Sequence, residues 1–346
     1  MTSERVFTSS TITNQQQQEL LQCTTCGESD AVPFLVAPDR FHSRKTLYQL
    51  LRCQACSMVW LSSAPRPQEM VEHYGPDYDK KIAAAGETSP DRWRDRTGVL
   101  TQYKQEGTLL DLGCSSGSFL STLKGNAWDL YGIEMSTESA SRAQERCGAK
   151  VFVGDILDAP FEPGSFDAIT CFHVFEHLYH PREVLQKVAR WLKPGGIFYV
   201  LVPNIDSAGE RVFQSYWYAL ELPRHLSHFS PKSLSAVAAS VGLEKLSLTT
   251  HREVFIEYST HYILDDILAK LGIARTSLAA SGPASLGRKV IRKVYRLTVQ
   301  PLLTGLISLA GDGESIHAIF RKPVEGTQAG SHASSARVSQ SGVVHL

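Results

Sequence analysis

From residue 107 onward, short apolar runs alternate with amphipathic stretches, beginning with TLLDL at 108–112 and DLYGIE at 129–134. Further runs fall at 151–153 (VFV), 166–172 (FDAITCF), 196–202 (GIFYVLV), 243–250 and 315–321. Runs this short and this apolar suit strands covered on both faces, and stretches of helical period between them suit crossover helices. The spacing predicts helices over 117–125, 136–147, 181–192 and 231–241, and with them an α/β fold built on a largely parallel sheet. Roughly 60 residues separate the last two runs, with helical patterns at 255–270 and 287–309. A helical insert over 251–313 is therefore expected to cover part of the sheet.

Upstream the pattern changes. Residues 21–62 hold a compact cysteine-bearing unit ending in YQLLRCQACSMVWL, a Pro-rich joint (SSAPRPQEM) follows, and 63–105 reads as a linker and helical lead-in to a domain over 106–323. Residues 1–20 and 324–346 are polar, rich in small residues and without hydrophobic period, the composition of disordered tails. No internal repeat is present.

Charge narrows the partners. In 346 residues, 35 Lys and Arg balance 35 Asp and Glu, so no net field draws nucleic acid, and Arg40–Lys45 is only a short basic cluster without an aromatic platform beside it. MTSERVFTSS lacks the basic start and apolar run of a secretory leader, and no stretch reaches the roughly 18 apolar residues of a membrane span. A cytoplasmic location is expected, with one qualification from segment 287–309. There Arg288, Lys289, Arg292, Lys293 and Arg296 share one helical face, and Val290, Ile291, Val294 and Leu297 another. That pattern fits either a lid on the catalytic domain or a helix lying on a membrane surface. The sequence carries no signal for oligomeric state.

Of seven cysteines, Cys23/Cys26 and Cys53/Cys56 form two CxxC pairs separated by 26 residues. Four thiolates fill the shell of a tetrahedral ion, so the pattern predicts a structural Zn2+ site in a zinc-ribbon-like module. The alternative, a redox pair, lacks a thioredoxin-like strand and helix around either motif. Cys114, Cys147 and Cys171 sit in apolar segments and read as buried fillers.

LLDLGCSSGSFL ends a strand in Asp111, turns through Gly113 and Gly117, and opens toward a helix, with Ser115 where dinucleotide binders carry the middle glycine of GxGxxG. Glu134 closes the next strand 23 residues later, placed to accept ribose hydroxyls, and Asp155 follows the third, placed for an adenine amino group. Each acid by itself also suits a cap or turn.

On these motifs residues 106–250 resemble the class I S-adenosylmethionine-dependent methyltransferases: LLDLGCSSGSF the cofactor loop, YGIEMS the ribose-binding strand end, VGDILD the adenine contact, FDAITCFHVFEHL the fourth strand, and LKPGGIFYVLVPN the turn and fifth. The resemblance implies a Rossmann-like sheet of seven strands whose last, SIHAIFRK, runs antiparallel. It also implies S-adenosyl-L-methionine held by Asp111, Gly113, Cys114, Gly117, Glu134, Met135, Asp155, Ile156 and His173. A four-cysteine module ahead of such a domain, joined through HYGPDY, is similar to the sugar C-methyltransferases of deoxysugar biosynthesis. The chain departs from that group in carrying a helical insert, one strand and a tail in place of a large third domain. Its LPRHLSHFS keeps His225 but has Leu222 and Arg224 where the group has tyrosine and glutamate.

HVFEH at 173–177 has the HxxxH spacing of zinc peptidases, but His173 ends an apolar strand and the helix follows it, so the two histidines do not share a helix face. Packing and capping, or catalysis, remain open for Glu176 and His177. Methyl transfer to a hydroxyl needs alignment and a base. His225, just after the fifth strand, is the expected base, and His228 an orienting or second candidate. Hydrogen bonding within the loop and capping of the SPKSL helix is the competing reading for both. Arg224 either receives a substrate anion or pairs with Glu221. The function expected is O- or C-methylation of a small-molecule acceptor, a sugar or natural-product intermediate. The alternatives are a cofactor-binding interaction protein without turnover and an enzyme for a lipid-like or macromolecular acceptor.

Overall fold

The structure is a computed structural model that describes residues 22–74, 90–125, 127–271, 283–309 and 312–324. Both expected tails lie outside these residues, apart from Val324, as do residues 75–78 of the HYGPDY linker.

The N-terminal unit is an antiparallel meander of β1 (Ala31–Pro38), β2 (Leu47–Cys53) and β3 (Val59–Leu61), joined by α1 (Pro67–Met70) and α2 (Pro90–Thr101) to the larger sheet. That sheet contains β4 (Gly107–Leu112), β5 (Trp128–Glu134), β6 (Lys150–Val153), β7 (Phe166–Phe172) and β8 (Leu192–Pro203), which run parallel. With β10 (Glu244–His251) and β11 (Ser315–Arg321) the order is β10-β11-β8-β7-β4-β5-β6, and β11 is antiparallel to both neighbours. This is the seven-stranded Rossmann-like sheet expected from the sequence. Residues 196–203 of β8 are buried without a break, which is why GIFYVLV reads as a continuous apolar run and not an alternating one.

The crossover helices are α3 (Thr137–Cys147) and α4 (Pro181–Trp191). Ser136 caps α3 by accepting from the Ser139 amide, and Gly148, at φ +74°, ends it. On α4, Val184, Leu185, Val188 and Trp191 form one buried stripe at helical spacing. The helix expected over 117–125 is instead a single 3₁₀ turn at Leu120–Leu123. Ser121 and Thr122 there donate their hydroxyls to the carbonyls of Ser118 and Phe119, at 2.8 and 2.7 Å, and such local bonds compete with an α-helical ladder. After β8 come α5 (Ala208–Phe213), β9 (Ser227–His228), α6 (Pro231–Ser240), and the insert helices α7 (Phe255–Lys270) and α8 (Pro283–Ser308), the last with Pro301 inside it.

The unit expected over 21–62 does not close its own sheet. β9 supplies the fourth strand, pairing Val59 with His228 and Trp60 with Ser227, so the strand order is β1-β2-β3-β9. Met58 and Trp60 accordingly share one apolar cluster with Val200, Phe229 and Leu234, and Cys23, Cys53 and Cys56 belong to it. Phe229 stacks on Phe175 with ring centroids 5.0 Å apart. On the far side, α8 leaves Val294, Leu297, Leu302 and Leu306 exposed. Among the described residues no helix is long and apolar enough to cross a membrane.

Phe229 is therefore a hinge pin between the two sheets. Truncation in Phe229→Ala is expected to lower the free energy of unfolding by about 3–5 kcal/mol, measured by denaturant titration. Stability within experimental error of the unsubstituted chain would show that the clusters are independent.

Candidate active site

A turn with left-handed backbone follows β4. Gly113 has φ +70°, and a Cβ there would lie 2.4 Å from Val174 Cγ2, so the loop after β7 closes on it only because the side chain is absent. Gly117 serves the other side of the loop: its Cβ would lie 2.9 Å from Ala143 Cα, so it lets α3 pack against the turn. Ser115, at φ +48°, donates its amide to Glu134 Oε2 at 2.9 Å, and Ser136 donates its own to Oε1 at 2.8 Å. Two backbone donors thus fix the carboxylate at the end of β5. Asp111 is buried, accepts from the Thr170 hydroxyl at 2.7 Å, and burial pushes its pKa up to about 7.

These groups border a partly open cleft at the carboxyl ends of β4 and β7. Of the expected site residues, Asp111, Gly113, Cys114, His173 and His225 line it. Glu134 touches the lining through Ser115, whereas Met135, 71% exposed, and Ile156, buried, do not line the cleft. Asp155 uses one oxygen to cap the turn that follows β6, accepting from the Leu157 amide at 2.7 Å. His228 does not line the cleft: it is buried in β9, its Nε2 has no hydrogen-bond partner, and its ring centroid lies 6.2 Å from that of His225. Burial lowers its pKa to about 3.

His225 is also buried, and its Nδ1 lies 2.8 Å from the Ala219 carbonyl. A carbonyl only accepts, so Nδ1 carries the proton and Nε2 keeps a lone pair, 3.6 Å from Glu221 Oε2. Burial, first, holds this imidazole well below its ordinary pKa, hence neutral near pH 7. Arg224 does not reach the cleft. It is fully buried, with Nε donating to Glu221 Oε1 at 2.9 Å, Nη1 to the His73 carbonyl at 3.0 Å, and its guanidinium 4.2 Å from the centre of the Phe41 ring. Of the two readings of Arg224, this is the pairing with Glu221.

HVFEH is split by geometry. His173 stands at φ +55° after β7, Phe175–His177 form a 3₁₀ turn, and α4 begins only at Pro181, so the two histidines never share a helix. Glu176 and His177 do line the cleft. Ser115, His173 and Glu221, at φ +48°, +55° and +38°, are non-glycine residues with left-handed backbone on its wall. Such conformations cost roughly 1–3 kcal/mol each and concentrate at functional sites.

Several lining residues had no sequence signal. Arg96 from α2, 97% buried, lies with its guanidinium 4.4 Å from the Trp93 ring centre, and Tyr218 and Phe255 close the cleft from segments far along the chain. Only the fold brings them together. Outside the cleft lining, the Sγ atoms of Cys23, Cys26, Cys53 and Cys56 all lie within 4.8 Å of one another, with Cys23–Cys56 at 3.5 Å and Cys26–Cys53 at 3.6 Å. The edge of a tetrahedron with metal–sulfur bonds of about 2.3 Å is about 3.8 Å, so this donor set fits one tetrahedral ion.

Comparison with known proteins adds to the geometry. A family described as "Methyltransferase domain" matches residues 78–248. The ubiquinone biosynthesis O-methyltransferase of Thiobacillus denitrificans is 30% identical over 170 residues, covering 46% of this chain and 72% of that protein. The protein of the same name from Pectobacterium carotovorum is 25% identical over 232 residues, 56% of this chain and 97% of the relative. Among solved structures, the [4+2]-cyclase SpnF has a TM-score of 0.50 at 22% identity, covering 75% of this chain and 97% of its own. Phosphoethanolamine N-methyltransferase 2 of Haemonchus contortus, in complex with S-adenosyl-L-methionine, has a TM-score of 0.50 at 18% identity, covering 77% and 62%. These two structural likenesses are of fold.

The placement of Arg224 is testable. Arg224→Met leaves Glu221 buried beside an apolar chain and is expected to cost about 3–5 kcal/mol of stability, read by thermal or denaturant unfolding. Unchanged stability with weaker substrate binding alone would instead place Arg224 in the cleft.

Proposed function

The chain belongs to the class I S-adenosylmethionine-dependent methyltransferases, and from that premise we propose that it methylates a hydroxyl of a small molecule held in the cleft, with His225 as the base and a structural Zn2+ on the four cysteines. S-adenosyl-L-methionine, when bound, supplies an electrophilic methyl group on a sulfonium. The fit of the residues supports this. Glu134, its carboxylate already oriented by two amides, has lone pairs left for ribose hydroxyls. The turn at Gly113, Cys114 and Gly117, together with Asp111 and His173, would hold the methionine portion. Met135, Asp155 and Ile156 would take the adenine, Asp155 with the oxygen not used in its cap.

The observation that carries the base assignment is the fixed tautomer of His225. Its Nδ1–H is held by the Ala219 carbonyl, so the Nε2 lone pair is available to a hydroxyl proton, and Glu221 Oε2, 3.6 Å away, stabilises the imidazolium that results. Water exclusion falls to Trp93, Phe172, Tyr218 and Phe255 on the walls. The names of the curated relatives, O-methyltransferases, favour oxygen over carbon as the atom methylated.

A second reading concerns the acceptor and rests on α8. Its exposed Leu297, Leu302 and Leu306, on a helix with no acidic residue, favour a lipid-like acceptor delivered at a membrane surface over a water-soluble sugar.

Transfer of labelled methyl from S-adenosyl-L-methionine into a cell extract tests both. Label is expected in small molecules, in the water-soluble fraction for the first reading and the solvent-soluble fraction for the second. Glu134→Ala is expected to abolish transfer at low donor concentration and raise the donor's Kd by about tenfold or more, since hydrogen bonds to a charged group are worth about 1.5–3 kcal/mol each. Label only in protein or RNA, or an unchanged Kd in Glu134→Ala, contradicts the proposal.

A further inference from the structure

We propose that Glu176, His177 and His225 form a divalent-cation site in the wall of the cleft, distinct from the four cysteines. One donor atom from each lies within 4.8 Å of the other two. Glu176 and His225 are buried, His177 is half-buried, and all three line the same cleft.

The outward partners of these side chains carry the inference. His177 Nδ1 lies 3.1 Å from the Arg224 carbonyl and 3.1 Å from the Tyr74 hydroxyl, which can accept, and His225 Nδ1 lies 2.8 Å from the Ala219 carbonyl. Both carbonyls require an N–H, so both rings keep the Nδ1–H tautomer and both keep a lone pair on Nε2. The rings meet edge to face with centroids 4.6 Å apart. Glu176 Oε1 is 3.3 Å from His173 Nδ1, which orients the carboxylate from behind. Each ligand therefore has its non-ligating side tied to a backbone carbonyl or a neighbouring ring, the arrangement that fixes tautomer and direction at metal centres. Capping or packing alone would not require two imidazoles, one buried and one half-buried, each to bring a ring nitrogen within 4.8 Å of a buried carboxylate.

Two imidazoles and a carboxylate suit a first-row divalent ion such as Co2+, Mn2+ or Zn2+ and leave positions open for a ligand. What the ion does rests on the methyl-transfer reading; that it binds does not. With the ion present, His225 is a ligand and no longer the base. The acceptor hydroxyl, polarised by the ion, gives its proton to Glu221, whose Oε2 stands 3.6 Å from His225 Nε2. The hydroxyl oxygen's electron pair forms the bond to the methyl carbon, and the carbon–sulfur pair returns to sulfur as a neutral thioether.

Titration of the full, metal-depleted chain with Co2+ separates the two sites, because Co2+ on thiolates gives intense sulfur-to-metal charge-transfer bands and Co2+ on nitrogen and oxygen gives only weak d–d bands. Two equivalents are expected, one of each kind. His177→Ala, His225→Ala and the conservative Glu176→Gln should each weaken the nitrogen–oxygen site by more than about tenfold, the low end of what loss of even an outer partner costs, while the thiolate band stays as an internal check on folding. No nitrogen–oxygen site in the unsubstituted chain, or one retained in all three variants, overturns the proposal. If the thiolate band is lost in a variant, the decision rests on Glu176→Gln, the least disruptive of the three. Methyl transfer by the chelated enzyme would preserve the histidine-base reading after such a failure, whereas absence of transfer with and without metal would sink that reading and leave the cation site standing.

Discussion

The hydrogen bond from the Leu61 amide to the Leu226 carbonyl, 3.0 Å long, ties the N-terminal unit to the segment that carries His225. Around it the Leu226 amide donates to the Glu176 carbonyl at 2.9 Å, and the Ile205 amide to the Phe229 carbonyl at 2.9 Å. Residues 224–229 are thereby held from three sides: the meander of β1–β3, the turn after β7 and the end of β8. A loop so held cannot sample the conformations of an ordinary surface connection, and this preorganisation is what a base or a ligand at His225 needs. The cysteine unit is thus part of the frame of the cleft. Its cysteines lie in the same apolar cluster as Phe229 and Leu234, so order in the thiolate cluster and order in the histidine segment are mechanically linked.

Burial then decides what the cleft can do. His173, His177 and His225 are all held below their ordinary pKa, with desolvation the leading cause in each, and Asp111 is raised to about 7 for the same reason. The histidines consequently present lone pairs and not charges, and a neutral imidazole in such a place binds a proton or a cation only if a carboxylate is near. Glu221 and Glu176 are those carboxylates. Arg224 limits how far Glu221 can move, since Nε occupies one of its oxygens from a fully buried position. Left-handed backbone at His173 and Glu221 aims the two segments inward, a conformational cost that the surrounding sheet and the β9 pairing sustain.

The architecture was readable in the sequence because a parallel sheet covered on both faces leaves near-continuous apolar runs, as at β4, β7 and β8, and all seven expected strands lie within a few residues of their expected places. Strand ends carrying Asp111 and Glu134 marked the glycine loop for the same reason: the carboxyl ends of such strands are where ligands sit. The turn at Leu120–Leu123 was not readable, since its apolar spacing is helical and only the Ser121 and Thr122 side-chain bonds favour the tighter form. β9 escaped notice because two residues, Ser227 and His228, have no period at all; their strand exists through the partner Val59–Trp60, not through local preference. That same pairing turns His228 away from the cleft, which spacing from His225 could not reveal. Arg96, Glu221 and Phe255 converge from three distant segments, and Glu176 with His177 acquired neighbours of consequence only when the fold brought His225 beside them.

The dependence of the histidine segment on the cysteine unit is most directly tested by amide hydrogen exchange in Cys26→Ser, which removes a half-buried member of the thiolate cluster. The account predicts that protection falls together in β3 and in residues 224–229, while the amides of β4 and β5 keep theirs. Residues 224–229 as protected as in the unsubstituted chain, with β3 opened, would contradict it.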